Sequence, residues 1–420
     1  MLNAKGEREL AYVVKIDDVT PIEGYDRVEL AHVSGWTIVV GKGEFKPGDP
    51  AIYFEIDSKL PEVKPFTDME FLAKKHYKIK TQKMCKSISQ GFLMSAKNFG
   101  WKYFTNVEHR YVDPPYHSDN VGIVDDEGTV HFENSESRFL TQKLGVIYAE
   151  PDDNQRKAAP ADKYKKMAQR HGKLFSHQPY RWLMKRDWGK KLLFLFYGKK
   201  KDKKSSWPAW VKKTDEERVQ NMPWILQDPG PWIATEKIDG TSTTFTMKRK
   251  SFGRYEFLVC SRNVVFDKPD KKCFYETNVY TEMAEKYDIE NKMKEMFNYP
   301  AFEGCDWITI QGETYGAGVQ KRDYSKTDHD FAAFNLITSN KGRLGTKEMK
   351  AILLFAFGIP CVPVIDYNYE LPSTVDELLK QATGVSFIDG KMREGIVFRS
   401  VDGQKSFKAV SNEYLLKYHG

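Results

Sequence analysis

The sequence predicts an α+β protein: an N-terminal β-barrel followed by a larger domain of antiparallel sheets with helices. Three observations predict it. Residues 8 to 100 break into short apolar or alternating runs separated by turn residues. From about residue 207 strand-like runs cluster, and helical stretches fall between the clusters rather than in a strand–helix–strand repeat. Between these parts, residues 151 to 206 shift to helical spacing and a lysine-rich composition. The chain therefore divides into 1–150, 151–206 and 207–420.

The first part contains the runs LAYVVKI, DRVELAHV, WTIVVG, AIYFEI, YKIKTQKM and QGFLMS, with IEGYD, GKGEFKPGDP and SISQ as turns. Five or six short strands at this spacing suit a small barrel of the OB type. Residues 100 to 150 add an irregular polar segment that closes the domain. The middle part holds two helical stretches, APADKYKKMAQRHG and PYRWLMKRDWGKKLLFLF, each with a proline near its start. A cluster of Lys199, Lys200, Lys201, Lys203 and Lys204 follows, either a solvated hinge or a strip that grips phosphate. In the last part WIATEKI, TSTTFTMKRK, YEFLVCSR, WITIQGETYG, DFAAFNLIT and GIVFRS read as strands. VYTEMAEKYDIENKMKEMF, TKEMKAILLF and TVDELLKQA read as helices.

A chain of 420 residues with 40% hydrophobic and 14% aromatic residues buries a sizeable core. Its net charge of +7 suits an anionic partner without requiring one. The five cysteines are dispersed with no CxxC pair, which fits a reducing compartment and argues against a disulfide scaffold or zinc ribbon. The N-terminus lacks the apolar core of a signal peptide, and the longest apolar run, KKLLFLFYG, is too short to span a bilayer. A soluble, intracellular protein is expected. The nine histidines form no HxxxH pair, and no P-loop ending in Gly-Lys-Ser/Thr is present.

The stretch TEKIDGTS carries the chemistry. Lys237 ends an apolar run, and Gly240, three residues on, lets the backbone turn tightly toward whatever binds there. By contrast Lys15, followed by Asp17 and Asp18 with no glycine, reads as an ordinary strand-end lysine. A lysine amine attacks phosphorus only when unprotonated, so it needs neighbours that lower its pKa. Lys248, Arg249, Arg262, Lys405 and Lys408 are the candidates.

Lys-x-Asp-Gly alone is a weak signal; what surrounds it in order is stronger. CSRN places Arg262 at a strand end, and IQGETYGAGVQ places Glu313 among glycines. DFAAFNLIT supplies Phe331 and Phe334, MREGIVFRS supplies Glu394, and KSFKAVSN supplies Lys405 and Lys408. In this order the motifs resemble those of the covalent nucleotidyltransferases, the polynucleotide ligases and mRNA capping enzymes, whose catalytic domain is an ATP-grasp-like ligase fold. Ser242, where DNA ligases and capping enzymes carry arginine, makes the chain look like an ATP-dependent RNA ligase of the nick-sealing kind. So do QGETYGAGVQ and KTDEERVQN, the latter similar to the segment before the catalytic lysine in such ligases. The chain stops twelve residues after Lys408, which leaves no room for a C-terminal OB domain. The resemblance covers residues 8 to 100 loosely and 207 to 420 well.

That resemblance implies ATP as substrate, AMP held covalently on Lys237, and Mg2+ or Mn2+ as cofactor. The implied partner is RNA with 3′-hydroxyl and 5′-phosphate ends, as in a nicked duplex, bound by a monomer in an RNA repair role. Lys237 is then the nucleophile, with Lys405 and Lys408 on the α-phosphate. The family spaces these two lysines by one residue, whereas Ser406 and Phe407 intervene here, so Lys405 departs from the pattern. Glu394 and Glu313 would hold the metal, or Glu313 the ribose hydroxyls, and Arg262 would meet ribose or the RNA 5′-phosphate. Phe334 is preferred over Phe331 for stacking on adenine, with Glu236, Asp239, Gly240 and Ser242 shaping the nucleotide pocket. The basic stretch Lys74 to Ser87, interleaved with Tyr77, is either a nucleic-acid-binding edge of the barrel or a solvated edge strand. Alternatives are a DNA ligase, a capping-type nucleotidyltransferase, or an inactive ligase-like RNA-binding protein.

Overall fold

A computed structural model describes residues 1–105, 110–112, 121–149, 177–197, 207–213, 215–266 and 278–419. Residues 1–149 and 207–420 make one compact unit, and 150–206 make a second. Within the second unit the described residues form two helices, Gln178–Met184 and Asp187–Tyr197. The expected helix at APADKYKKMAQRHG and the lysine cluster from Lys199 lie outside the described residues.

The N-terminal strands have the OB-like pattern, but their hydrogen bonding does not close into the expected barrel among the described residues. One sheet orders Ala11–Lys15, Pro50–Phe54 and Phe92–Met94; a second joins Asp18–Ile22, Tyr25–Val33 and Trp36–Gly41. The reason lies in the runs themselves. Ala11–Lys15 and Pro50–Phe54 are apolar at nearly every position, which suits a strand covered on both faces. Ala11, Val13, Ile52 and Phe54 enter one core, whereas Tyr12, Val14, Ala51 and Tyr53 enter another with Trp36 and Ile38. The first core is completed by Trp101, Tyr103, Ile123, Leu140 and Val146. The described residues between 101 and 149 therefore help cover a face that a free barrel would expose.

The basic stretch is shorter as a strand than YKIKTQKM suggests. His76 and Tyr77 take positive φ, so only Gln82–Met84 is extended there. SISQ, expected as a turn, is instead the strand Ser87–Ser89, and the turn falls at Cys85–Lys86, both at positive φ as a tight hairpin requires.

Two antiparallel sheets build the C-terminal part. One has six strands in the order Val265–Phe266, Tyr255–Cys260, Thr241–Arg249, Trp307–Gly316, His329–Thr338 and Gly342–Arg343. The other has four, ordered Val364–Tyr369, Trp232–Lys237, Gly395–Ser400 and Ser406–Val410. The chain crosses between them at residues 238–240. The six-stranded sheet packs Phe245, Ile308, Ile310 and Phe331 against Met283, Met293 and Met296 of two short helices. Those helices, Val279–Lys286 and Ile289–Met296, replace the single one expected, because Asp288 adopts a left-handed conformation that interrupts the ladder.

The two halves of this unit share a seam. Ile88 packs with Val410 and Leu415, the Gln220 side chain donates to the Gly35 carbonyl, and the Leu2 amide donates to the Asn221 carbonyl. Gly35, at φ +81°, lies where an added Cβ would stand 2.4 Å from Val375.

Candidate active site

The strand Trp232–Lys237 pairs with Gly395–Ser400 in a register that sets Lys237 opposite Gly395. Glu394, one residue earlier, is thereby brought to the amine, and its Oε2 lies 2.8 Å from Lys237 Nζ. Gly395 allows this register because a Cβ there would stand 2.2 Å from the Ala409 carbonyl oxygen. The next strand sets Lys408 opposite Val397 and thus near the same end of the sheet.

From the six-stranded sheet comes Glu313, paired in register with Ser242. Gly240 makes the approach of the two sheets possible: a Cβ at this position would lie 2.3 Å from the Thr314 carbonyl oxygen and 2.9 Å from Glu313 Cγ. The Gly240 carbonyl accepts from Gln320 Nε2 at 2.9 Å.

Between the sheets lies a cavity of about 370 Å3. Lys237, Lys408, Arg262, Glu313, Gly240 and Ser242 all line it, as does Glu236. Glu394 and Asp239 stand behind this lining. The Asp239 carboxylate accepts from the Tyr414 hydroxyl at 2.9 Å, and its amide donates to the Tyr324 hydroxyl at 2.6 Å. The Glu236 carboxylate accepts from the Ser386 hydroxyl and from the Phe387 amide. Both acids thus spend side-chain atoms on fixing the loops around Lys237.

The apolar end distinguishes the two phenylalanines. Phe334 lines the cavity with Ile238, Val362 and Val397, and the Arg399 guanidinium lies 5.7 Å from its ring centroid. Phe331 is fully buried in the core, edge-on to Phe245 at 5.1 Å. Gly312 leaves room for that ring, since a Cβ would lie 2.4 Å from it.

Three expectations are corrected. Lys405 does not reach the cavity: the turn after Ser400 points its largely exposed side chain at Asp228, 2.6 Å away. Lys248 and Arg249 sit at the far end of their strand, over the Trp210 ring and on the Phe297 carbonyl. The electrostatics around Lys237 are also opposite in sign to those expected. Burial pulls its amine down, but Glu394, Glu313 and Asp239 together hold it above the ordinary lysine value. Lys408 shows the reverse. Burial, assisted by the charges of Lys237 and Arg218, lowers it despite its contact with Asp215. For Glu313, burial with added repulsion from Glu394 and Asp239 pushes the carboxyl up to about 8 against the pull of Lys237.

The structure adds residues that sequence reasoning did not single out. Asp215 bridges Lys408 Nζ at 3.1 Å and Arg262 at 2.5 Å. Glu216 pairs with Arg399 at 3.0 Å. Both acids lie in KTDEERVQN, so that segment was visible, although its partners were not. A backbone bond from Lys408 to the Glu217 carbonyl, 2.8 Å, lays the segment along the last strand.

Comparisons with known proteins identify the two domains. Residues 230–418 match the RNA ligase family model, and residues 10–96 match an OB-fold domain. No curated protein sequence matched the chain. Among solved structures, a Naegleria gruberi RNA ligase with PPi is 25% identical, with a TM-score of 0.60 over 98% of this chain and 99% of that one. A lysine-to-methionine variant of the ligase with AMP and Mn gives the same identity, TM-score and coverage. A glutamate-to-alanine variant with ATP and Mn is 25% identical, with a TM-score of 0.59 over 98% of this chain and 100% of that one. The chain thus carries an RNA ligase domain at residues 230–418 behind an OB-fold domain at residues 10–96.

Proposed function

We propose that the protein is an ATP-dependent RNA ligase that joins a 3′-hydroxyl to a 5′-phosphate, at nicks in duplex RNA, through lysyl-AMP and RNA-adenylate. The observation that carries this is the Lys237 amine at the cavity wall, 2.8 Å from Glu394, with Lys408 and Arg262 lining the same cavity. Spacing supports it. The Naegleria gruberi ligase has been solved with substitutions at a lysine and at the aspartate two positions after it. It has also been solved with substitutions at a glutamate and at the lysine fourteen positions after it. Lys237 and Asp239, and Glu394 and Lys408, repeat both intervals.

In the first step the Lys237 amine attacks the α-phosphorus of ATP, so that a phosphorus–nitrogen bond forms and the bond to pyrophosphate breaks. The amine must first lose its proton to solvent, which becomes easier once the charge of Glu394, 2.8 Å away, is offset. Lys408 and Arg262 neutralise phosphate charge, and such chemistry depends chiefly on positioning and charge. The RNA 5′-phosphate then takes AMP from Lys237. Last, the 3′-hydroxyl attacks that phosphate and AMP leaves. Phe334, with Val362 and Ile238 beside it, offers a face to adenine.

A divalent cation fits the donor set. Glu394 and Glu313 both act on one amine, and carboxylate oxygens suit a hard cation. That pattern suits Mg2+ or Mn2+ held by one or two carboxylates with water and phosphate oxygens rather than by a protein cage. When bound, the cation supplies charge that offsets the carboxylates now favouring the ammonium form of Lys237.

Incubation with α-labelled ATP and a divalent cation tests the proposal: wild type should retain label after denaturation and Lys237→Ala should not. Label on the variant, or none on wild type, overturns the assignment. Nicked duplexes with ribose or deoxyribose at each end then test the substrate, with ribose at the 3′-hydroxyl end required for sealing; light scattering reports whether the active species is a monomer.

A further inference from the structure

We infer that Asp215 is an internal competitor for phosphate, a carboxylate that pairs with both cavity cations and gives way when a phosphate binds them. The inference rests on reading the cavity as a nucleotide site and adds a control over what that site accepts. One Asp215 oxygen lies 3.1 Å from Lys408 Nζ and the other 2.5 Å from Arg262. The two cations come from different sheets, Lys408 from the strand Ser406–Val410 and Arg262 from the turn after Tyr255–Cys260. Asp215 therefore ties the two walls together across the cavity that all three residues line.

A carboxylate and a phosphate present the same charged oxygens to lysine and arginine, so the two compete for one pair of donors. Access favours exchange. The Asp215 side chain is 56% exposed and Lys408 only 19%, so the carboxylate approaches from the solvent side and has room to withdraw there. The chain just after it is fastened. Glu216 is held by Arg399, and the Glu217 carbonyl by the Lys408 amide, so withdrawal does not require the segment to leave the last strand.

The consequence is selectivity. A small anion gains only the two cations and must displace Asp215 to reach them. A nucleotide also gains the apolar face at Phe334, which offsets that displacement. When pyrophosphate or AMP is to leave, Asp215 returns to the cations.

Calorimetric titration of the full-length protein with inorganic pyrophosphate tests this on wild type, Asp215→Asn, Asp215→Ala and Asp215→Glu. The Asn and Ala variants are expected to bind about tenfold tighter than wild type, as loss of a charged competitor for two donors implies. Asp215→Glu, which keeps the charge, should bind like wild type. Equal or weaker binding by the Asn and Ala variants overturns the inference, since Asp215 would then be orienting the cations or doing nothing. Tightening in Asp215→Glu as large as in Asp215→Asn overturns it too. The titration reads phosphate binding directly, so it decides the role of Asp215 even if wild type takes no label from ATP and the ligase reading fails.

Discussion

Replacing Gly240 by alanine asks one methyl group to occupy space held by a main-chain carbonyl. The new Cβ would lie 2.3 Å from the Thr314 oxygen, whereas ordinary contact begins at 3.4 Å, so about 1 Å of movement is needed. Thr314 cannot supply it, because it is fully buried and paired on both sides, to Thr241 and to Phe331. Glu313 cannot turn aside cheaply either, with its Cγ 2.9 Å from the same Cβ. The crossing at residues 238–240 must therefore back away and carry Lys237 with it. A displacement of about 1 Å at a reacting group costs roughly 100-fold in rate. Overpacking of this kind costs about 1–3 kcal/mol in stability. The assay is single-turnover formation of the lysyl adduct from labelled ATP, with a thermal melt beside it. A variant that labels within about threefold of wild type and melts at the same temperature would refute the argument that this glycine is required by close packing.

The remaining predictions concern other parts of the site. Phe334→Ala should raise the ATP concentration for half-maximal labelling by roughly 10- to 100-fold, as loss of about 1–3 kcal/mol of stacking implies. Phe331→Ala should instead lower folding stability by about 3–5 kcal/mol in a denaturant titration, as expected for a fully buried ring. Lys405→Ala should label within about twofold of wild type and Lys408→Ala should lose most labelling; the opposite order in a rate comparison restores Lys405 to the site. The Glu313 carboxyl is raised from 4.5 to about 8 by burial, so above its unfolded value its ionisation opposes folding. Wild-type stability should therefore fall between about pH 4.5 and 8, and Glu313→Gln should flatten that slope in melts across this range. Parallel slopes for the two proteins would remove Glu313 as the cause.

How much of this was legible beforehand depends on where each interaction originates. Lys237, Gly240, Glu394 and Lys408 are readable because each sits at a fixed place in a short motif on one strand or its end. Phe334 could be preferred to Phe331 because it sits just before the polar Asn335 of its strand. The charge environment of Lys237 was not readable. It follows from the register Lys237–Gly395 and from the second sheet delivering Glu313, neither of which is a local property. Asp215 and Arg399 escaped for the same reason, since their partners lie on strands far along the chain. The OB-like expectation held, whereas strand closure among the described residues and the cover of the sheet were not legible. Continuous apolar runs specify burial on both faces, but not that Trp101, Tyr103, Ile123, Leu140 and Val146 help provide the second cover.

Gly35 and Lys408 are more than three hundred residues apart, yet the seam makes them mechanical neighbours. The hairpin tip at Gly35 lies beside Val375 and accepts a hydrogen bond from Gln220, while the last strand, which carries Lys408, leans on Ile88 through Val410. A side chain at position 35 would wedge the halves apart and slacken the support behind Lys408. Activity lost through damage to the N-terminal half therefore need not signal lost grip on nucleic acid. Separating the two effects calls for surface changes that leave this joint intact, not for cutting the chain between its halves.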